Sequence, residues 1–339
     1  MKRLFVLLLL CLLLVGCTAL RVEQAPAPLS GELEVHYLDV GQADCILLRC
    51  GGASMLIDGG NVEDSDLVVS YLLDQGISYL DYVVNTHAHE DHVGGLPGVL
   101  AVFETGNVWC PVREYSSKCF RDFLYYADQQ DLELVCPAPG STFDLGGAEV
   151  TVLGPVRDDY DTNNSSIVLR VEYGQTSFLF TGDAETQAEN DILDAGYDVS
   201  ATVLKVGHHG SETSTGYRWL RTVDPAYAVI QVGTGNSYGH PHEAAMSRLR
   251  DAQVPVYRTD MQGHIVCRSD GQSVSFTTQK EAAETNPTAA PQQFIGNVNS
   301  KKFHLPSCSG LPEEKNQVVF ESYAAAQEAG YAPCSRCMP

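Results

Sequence analysis

His87-Ala88-His89-Glu90-Asp91-His92 packs three imidazoles and two carboxylates into six residues, at the end of the apolar run Leu80-Asp81-Tyr82-Val83-Val84-Asn85-Thr86. Borderline divalent ions take imidazole nitrogen and carboxylate oxygen together, and a turn leaving a strand can fold such closely spaced groups onto one or two ions. A solvated polar loop is the competing reading. The H-x-H-x-D-H spacing, with Gly94-Gly95 behind it, favours a metal site.

Working outward, the chain repeats this device at the ends of other apolar runs. Leu56-Ile57-Asp58-Gly59-Gly60 and Phe180-Thr181-Gly182-Asp183 each set a carboxylate just past a strand, and Lys205-Val206-Gly207-His208-His209-Gly210-Ser211 delivers paired histidines. Glycine beside each lets the backbone turn sharply and approach a cleft.

The runs that carry these residues alternate like a layered α/β protein. Short apolar stretches predict strands over 33–40, 45–48, 54–57 and 82–85, with Gly51-Gly52 a hairpin turn and a helix across 64–75. The second half predicts strands over 149–153, 167–173, 177–181, 201–206 and 227–231, and helices over 184–195 and 242–252. Two strand-rich halves with peripheral helices give an αββα sandwich, which we place at residues 32–278. A chain of 339 residues holds one such domain of roughly 200–250 residues plus something small.

Both ends read differently. Met1-Lys2-Arg3 followed by uncharged Leu4 to Gly16 has the basic start and short apolar core of a signal peptide. Its end, Leu14-Val15-Gly16-Cys17, resembles the bacterial lipobox, so the expectation is a leader over 1–17 with Cys17 lipidated, and a proline-containing tether over 18–31. An ordinary secretory signal or a short anchor is the alternative. The chain is then exported and held by lipid at the outer face of the bacterial cytoplasmic membrane. Cys45, Cys50, Cys110, Cys119, Cys136 and Cys267 could form disulfides there or stay buried as thiols. Residues 279–293, rich in Ala, Thr, Pro and Glu, read as a linker. The remainder, 294–339, is too short to stabilise itself by core burial and calls for a staple. His304 and Cys308 with Cys334-Ser335-Arg336-Cys337 supply four ligands suited to tetrahedral structural zinc; a disulfide among the three cysteines is the alternative.

The formal charge of −22 argues against binding nucleic acid through the overall field. It leaves open a local phosphate site, because bound divalent cations can dominate the potential in a cleft. From Phe294 onward four basic residues balance four acidic ones, so the deficit lies upstream.

The order Asp58, then His87-x-His89-x-Asp91-His92, then Asp183, then His208 resembles the metallo-β-lactamase superfamily of hydrolases over about residues 32–277. The resemblance implies that His87 and His89 hold a first metal, that Asp91, His92 and His208 hold a second, and that Asp183 bridges them. Asp58 would orient a ligand from behind. His209 competes with His208, which motif position favours. The superfamily commonly adds a third histidine to the first metal, yet residues 93–207 contain none. Water, substrate, or an oxygen from Asp161-Thr162-Asn163-Asn164-Ser165-Ser166 would complete that site, and oxygen-rich coordination shifts preference from zinc toward manganese.

Tyr37-Leu38-Asp39-Val40-Gly41-Gln42-Ala43-Asp44, the Asn-Ser-Ser-Ile-Val-Leu-Arg run, and Asn236-Ser237-Tyr238-Gly239-His240-Pro241-His242 are similar to the extracellular hydrolase domain of ComEC DNA-uptake channel proteins. Those proteins carry the domain on a multi-span channel; no second apolar segment of that kind occurs here, so the expectation is the hydrolase alone. The resemblance implies a nuclease using two divalent ions, manganese or zinc, with DNA as substrate and DNA-uptake machinery as partner. Cleavage of a phosphocholine ester or a lactone, and a non-catalytic DNA-binding module, are the alternatives. Asp183 would fix the metal pair, His240 and His242 would contact phosphate or protonate the leaving oxygen, and Asp39 and Asp44 would orient loops. The tail resembles the zinc-binding domain of the Ada DNA-repair protein, with His304 in place of its first cysteine. That supports zinc and DNA contact but not methyl transfer.

Overall fold

The computed structural model describes residues 31–281, 293–306, 308–321 and 323–338. The expected leader with Cys17, nearly all of the tether and most of the linker lie outside the described residues. Alternation of apolar side chains builds two sheets. The first gathers β1 (Leu33–Tyr37), β2 (Ile46–Cys50), β3 (Ala53–Ile57), β4 (Tyr79–Val84), β5 (Glu104–Trp109) and β6 (Leu134–Val135). The second holds β7 (Thr142–Leu145), β8 (Ala148–Gly154), β9 (Val168–Tyr173), β10 (Thr176–Phe180), β11 (Val203–Lys205), β12 (Tyr227–Ile230) and β13 (Val256–Arg258). The chain then returns to the first sheet as β14 (Ile265–Ser269) and β15 (Val274–Thr278). The sheet orders are β15-β14-β1-β2-β3-β4-β5-β6 and β13-β12-β11-β10-β9-β8-β7.

Period-two patterning assigns each strand's two faces to different layers. Val35, Ile46, Leu48, Met55 and Ile57 meet Val150, Val171, Phe178 and Phe180 between the sheets. On the outer face of the first sheet, Leu47, Leu56 and Val83 pack on helices Ser65–Asp74, Leu96–Val102 and Lys118–Asp128 through Val68, Leu72, Val99, Phe120 and Phe123. The second sheet does the same with Leu179, Leu204 and Ala228 against helices Thr186–Ala195, Tyr217–Val223 and Glu243–Asp251. Three apolar layers separate four structural ones, which is the αββα sandwich.

Within the sandwich the sequence reading missed strands β5, β6, β7, β13, β14 and β15 and the helices Leu96–Val102, Lys118–Asp128 and Tyr217–Val223. In β5 the run Glu-Thr-Gly-Asn looks like a turn, yet Gly106 is where Tyr79 of β4 crosses closely. The six body cysteines are free thiols, all buried except Cys136. Burial pushes the Cys267 thiol up to about 12 and the Cys45 thiol well above its usual range, so both act as apolar filling.

The C-terminal segment forms a third sheet from β16 (Phe294–Asn297), β17 (Lys302–His304), β18 (Gln317–Phe320) and β19 (Ala332–Pro333), in the order β18-β16-β17-β19. Phe294, Phe303, Tyr323 and Tyr331 form its small core, which reaches across to Tyr217 of the sandwich. Tyr217 stacks on Tyr323 at 5.0 Å between ring centres, and Arg221 lies over the same Tyr323 ring at 4.7 Å.

Candidate metal centre

Five loops leaving strand ends converge at one edge of the sandwich. The loop after β3 brings Asp58, that after β4 brings residues 87–92, that after β10 brings Asp183, that after β11 brings His208 and His209, and that after β12 brings His240. Gly94 and Gly95 allow the 87–95 turn to lie against the 59–62 backbone, since a methyl on Gly95 would collide with the Gly59 carbonyl oxygen.

Asp91, His92, Asp183 and His209 each offer a ligand atom, all within 4.8 Å of one another. His92 Nε2 lies 3.3 Å from Asp183 Oδ1, and His209 Nε2 lies 3.2 Å from Asp91 Oδ2. On the other oxygen of Asp183, His87 Nε2 lies 3.8 Å and His208 Nε2 3.6 Å from Oδ2. His89 joins this side, its Nδ1 3.0 Å from His87 Nε2.

Outer partners hold the ligand atoms in place. Asp58 accepts from the Thr86 amide and hydroxyl, each at 2.7 Å, and its Oδ2 faces His92 Nδ1 at 2.8 Å. Asp44 Oδ1 lies 3.2 Å from His209 Nδ1, beside the Gln231 carbonyl at 3.1 Å. Behind Asp44 stands Lys205, fully buried, its Nζ 2.7 Å from Asp44 Oδ2. Ser166 Oγ accepts from the Asp183 amide at 3.1 Å.

The electrostatics show what the site demands. Burial would raise the Asp183 carboxyl, but His92 and His209 outweigh it and hold it well below the usual range. Burial would likewise strip His209 of its proton, yet Asp183, Asp44 and Asp91 raise it to about 10; His92 is raised well above its usual value by Asp183, Asp58 and Asp91. His87 goes the other way, lowered by burial and by His92. Positive charge is therefore favoured at Nε2 of His92 and His209, the two atoms that face Asp183 and Asp91. His92 Nε2 and Asp183 Oδ1 are both buried without a hydrogen-bond partner. Such a donor set of imidazole and carboxylate, with orphaned atoms turned inward, fits a divalent cation.

Several site expectations change in detail. His209, given the supporting role from motif position, is the histidine within the four-group cluster, and Asp44 fixes its other nitrogen. His208 instead faces the opposite oxygen of Asp183. His242 has both ring nitrogens engaged by the backbone: its Nδ1 accepts from the Glu212 amide at 3.0 Å and its Nε2 lies 3.1 Å from the Tyr238 carbonyl, so here it braces the loop. Asp39 stands apart, its carboxylate 3.5 Å from Lys280. His240 does line the cleft of about 340 Å³ beside Gln42, His89, Asp91, Asn163, Asp183 and Tyr238. Burial, together with His209 and His208, lowers it to about 4, so its imidazole is neutral near pH 7. Sequence reasoning overlooked Lys205, Glu185 and Gln231; the lysine ahead of the paired histidines was the one visible signal.

In the C-terminal module, His304, Cys308, Cys334 and Cys337 converge within the same 4.8 Å limit. Burial would raise the Cys334 thiol, but amide hydrogens of Arg336 and Cys337 lower it; burial pushes Cys337 up to about 12. The set suits structural zinc, which stabilises thiolates in such a place.

Comparison with known proteins agrees with this geometry. Residues 38–233 match the family described as the metallo-beta-lactamase superfamily, and residues 277–339 match the metal binding domain of Ada. The chain is 30% identical to ComE operon protein 3 of Bacillus subtilis (strain 168), over 74% of this chain and 34% of that protein. It is 32% identical to competence protein ComA of Neisseria gonorrhoeae, over the same shares. It thus spans about a third of the length of these curated relatives. Among solved structures it resembles the metallo-beta-lactamase fold protein YhfI from Bacillus subtilis, with a TM-score of 0.50 at 13% identity, covering 71% of this chain and 100% of that one. The likeness to YhfI is one of fold. With the family match spanning more than half its length, the chain belongs to the metallo-β-lactamase superfamily, with the metal-dependent hydrolase fold of that group.

Proposed function

We propose that this protein is a DNA-cleaving phosphodiesterase, exported and lipid-anchored, whose centre works with two divalent ions. The observation that carries the reading is Asp183, whose two carboxylate oxygens each face a separate group of imidazoles. His87 and His89 would hold the first ion, Asp91, His92 and His209 the second. The competence names of its relatives support DNA as substrate.

When bound, two such ions lower the pKa of a shared water and neutralise charge on a phosphodiester during in-line displacement. The chain's own residues prepare for that. Asp58 and Asp44 keep Nε2 of His92 and His209 turned inward. Gln42 Nε2 meets His240 Nδ1 at 3.2 Å. With its charge suppressed, His240 serves as a neutral hydrogen-bond donor to a substrate oxygen rather than as a strong acid.

Asp183→Ala and His89→Ala should each abolish metal-dependent cleavage of labelled DNA while the fold, followed by circular dichroism, persists. Full activity in either variant would sink the reading. A panel of single-stranded DNA, duplex DNA, RNA, a phosphocholine ester and a lactone tests the substrate. Turnover confined to the last two would replace DNA with a small ester.

A further inference from the structure

We propose that His208 supplies the third imidazole for the first ion, so that two adjacent histidines serve two different ions. This rests on the two-ion reading above. It answers a gap in the sequence, since residues 93–207 contain no histidine for that place.

The backbone at the pair is unusual. His208 (φ 49°, ψ 48°) and His209 (φ 53°, ψ 24°) are both left-handed, and neither is glycine. Side chains disfavour that region, and two in succession require a surrounding structure that enforces them. Here Gly207 N–H donates to Thr215 Oγ1 at 3.2 Å, the His208 amide to the Gly182 carbonyl at 3.1 Å, and the Ser211 amide to the His208 carbonyl at 2.8 Å. The result is that neighbouring imidazoles straddle one carboxylate. His208 Nε2 lies 3.6 Å from Asp183 Oδ2, and His209 Nε2 lies 3.8 Å from Asp183 Oδ1.

Each oxygen thereby has its own company. Oδ1 has His92 and His209 within reach, with Asp91 beside them. Oδ2 has His87 and His208, with His89 beside His87. His208 also has the outer partner that ligating histidines require: Glu185 Oε1 lies 3.3 Å from its Nδ1, leaving Nε2 for the ion. Asp58 does this for His92 and Asp44 for His209, so three imidazoles share one arrangement. Ser166 is a poorer candidate, because its hydroxyl accepts from the Asp183 amide and sits 3.4 Å from Nδ1 of His87, behind the face that meets Asp183. Asn163 lines the cleft and is the remaining rival. The His208 side chain is 23% exposed against 2% for His209.

The test is manganese binding to the full-length protein, read by titration calorimetry and by electron paramagnetic resonance. Wild type should take two Mn(II) ions and show the exchange-coupled spectrum of a close pair. His208→Ala should keep one ion, lose the coupling, and weaken the other site by more than about 100-fold, since even outer-partner changes cost roughly 10–100-fold. Glu185→Gln should weaken that same site by about 10-fold or more and spare the other. His208→Asn provides a second variant of the same position should His208→Ala fail to fold. Two ions with unchanged affinity and coupling in the His208 variants overturn the inference while leaving the two-ion reading intact. Loss of the coupled pair in Asn163→Ala but not in His208→Ala overturns it in favour of the amide. A single Mn(II) in wild type refutes the two-ion reading itself.

Discussion

Replacing Lys205 with Met should destabilise the protein by about 3–5 kcal/mol, the usual cost of removing one partner from a buried ion pair. The ammonium is wholly buried, 2.7 Å from Asp44 Oδ2, and it donates to the Val206 carbonyl at 3.0 Å. Asp44 is 1% exposed, so no solvent screens what is left behind. Its other oxygen lies 3.2 Å from His209 Nδ1, which carries a full positive charge only while His209 is not a metal ligand. The loss should therefore be larger with metal than without. At about 2–4 °C per kcal/mol for a chain of this size, the thermal midpoint falls by roughly 6–20 °C. Urea unfolding of wild type, Lys205→Met, Asp44→Asn and the double variant gives the coupling energy. The double variant should recover at least half of the loss, because the damage comes from an uncompensated carboxylate. A Lys205→Met protein within about 0.5 kcal/mol of wild type, the range of an ordinary surface change, or a double variant no better than the single, would refute the reasoning.

Other perturbations test other joints. Glu189 is buried beneath the 211–216 loop, accepting from the Thr215 and Gly216 amides, and burial raises its carboxyl from 4.5 to about 7. A folded pKa above the unfolded one means its contribution is full below about pH 4.5 and is lost as pH rises through 7; the stability of wild type relative to Glu189→Gln should fall across that window, and a flat difference would count against it. If the C-terminal cluster holds structural zinc as proposed, its removal by chelation, or by Cys334→Ser with Cys337→Ser, should abolish hydrogen-exchange protection in residues 293–338 and leave the sandwich protected, because the module's core is too small to stand alone. Retained protection after metal loss would show that docking on Tyr217 suffices. Gly95→Ala should cost about 1–3 kcal/mol by driving a methyl into the Gly59 carbonyl; an unchanged urea midpoint would contradict that packing.

The ends of strands were legible because chemistry and punctuation coincide there. Asp58 and Asp183 sit beside glycines after apolar runs and His92 two residues before Gly94; His92 and Asp183 belong to the four-group cluster, and Asp58 stands behind His92. Strands whose composition mimics turns were not legible, as at Gly106 and Asn107 of β5. Contacts between residues distant in the chain were also hidden. Lys205 and Asp44 are separated by most of the sandwich, and a lone buried lysine leaves no local pattern. His242 read as a phosphate contact because of its neighbours, whereas both its ring nitrogens meet backbone groups, and no spacing rule reports backbone partners. His208 and His209 could not be separated from sequence, since only the left-handed turn sets which oxygen of Asp183 each one faces.

The charge of the centre explains how an acidic chain would draw in the anionic substrate proposed for it. Asp44, Asp58 and Asp183 are buried, Asp91 is 30% exposed where it borders the cleft, and among them stands one buried ammonium, Lys205. With neutral imidazoles this is an excess of three negative charges in a region that water barely reaches. Protons on His92 and His209 reduce the excess to one, which is why both imidazoles hold them so far above the usual value. Two divalent ions would displace those protons and turn the excess into a single positive charge, directed into the cleft that His240 and Tyr238 border. A phosphodiester is then attracted at one place on a protein whose formal charge of −22 repels it elsewhere. Oligonucleotide affinity, measured by anisotropy with the hydrolysis-resistant phosphorothioate, should thus depend on Mn(II) and weaken only gently with salt. Few phosphates are neutralised, so the logarithmic slope should be about −1 to −2, against about −0.7 for each phosphate contacted on a single strand. Tight binding with metal chelated, or a slope steeper than about −5, would mean that a basic surface elsewhere captures the strand and that the centre does not draw it in.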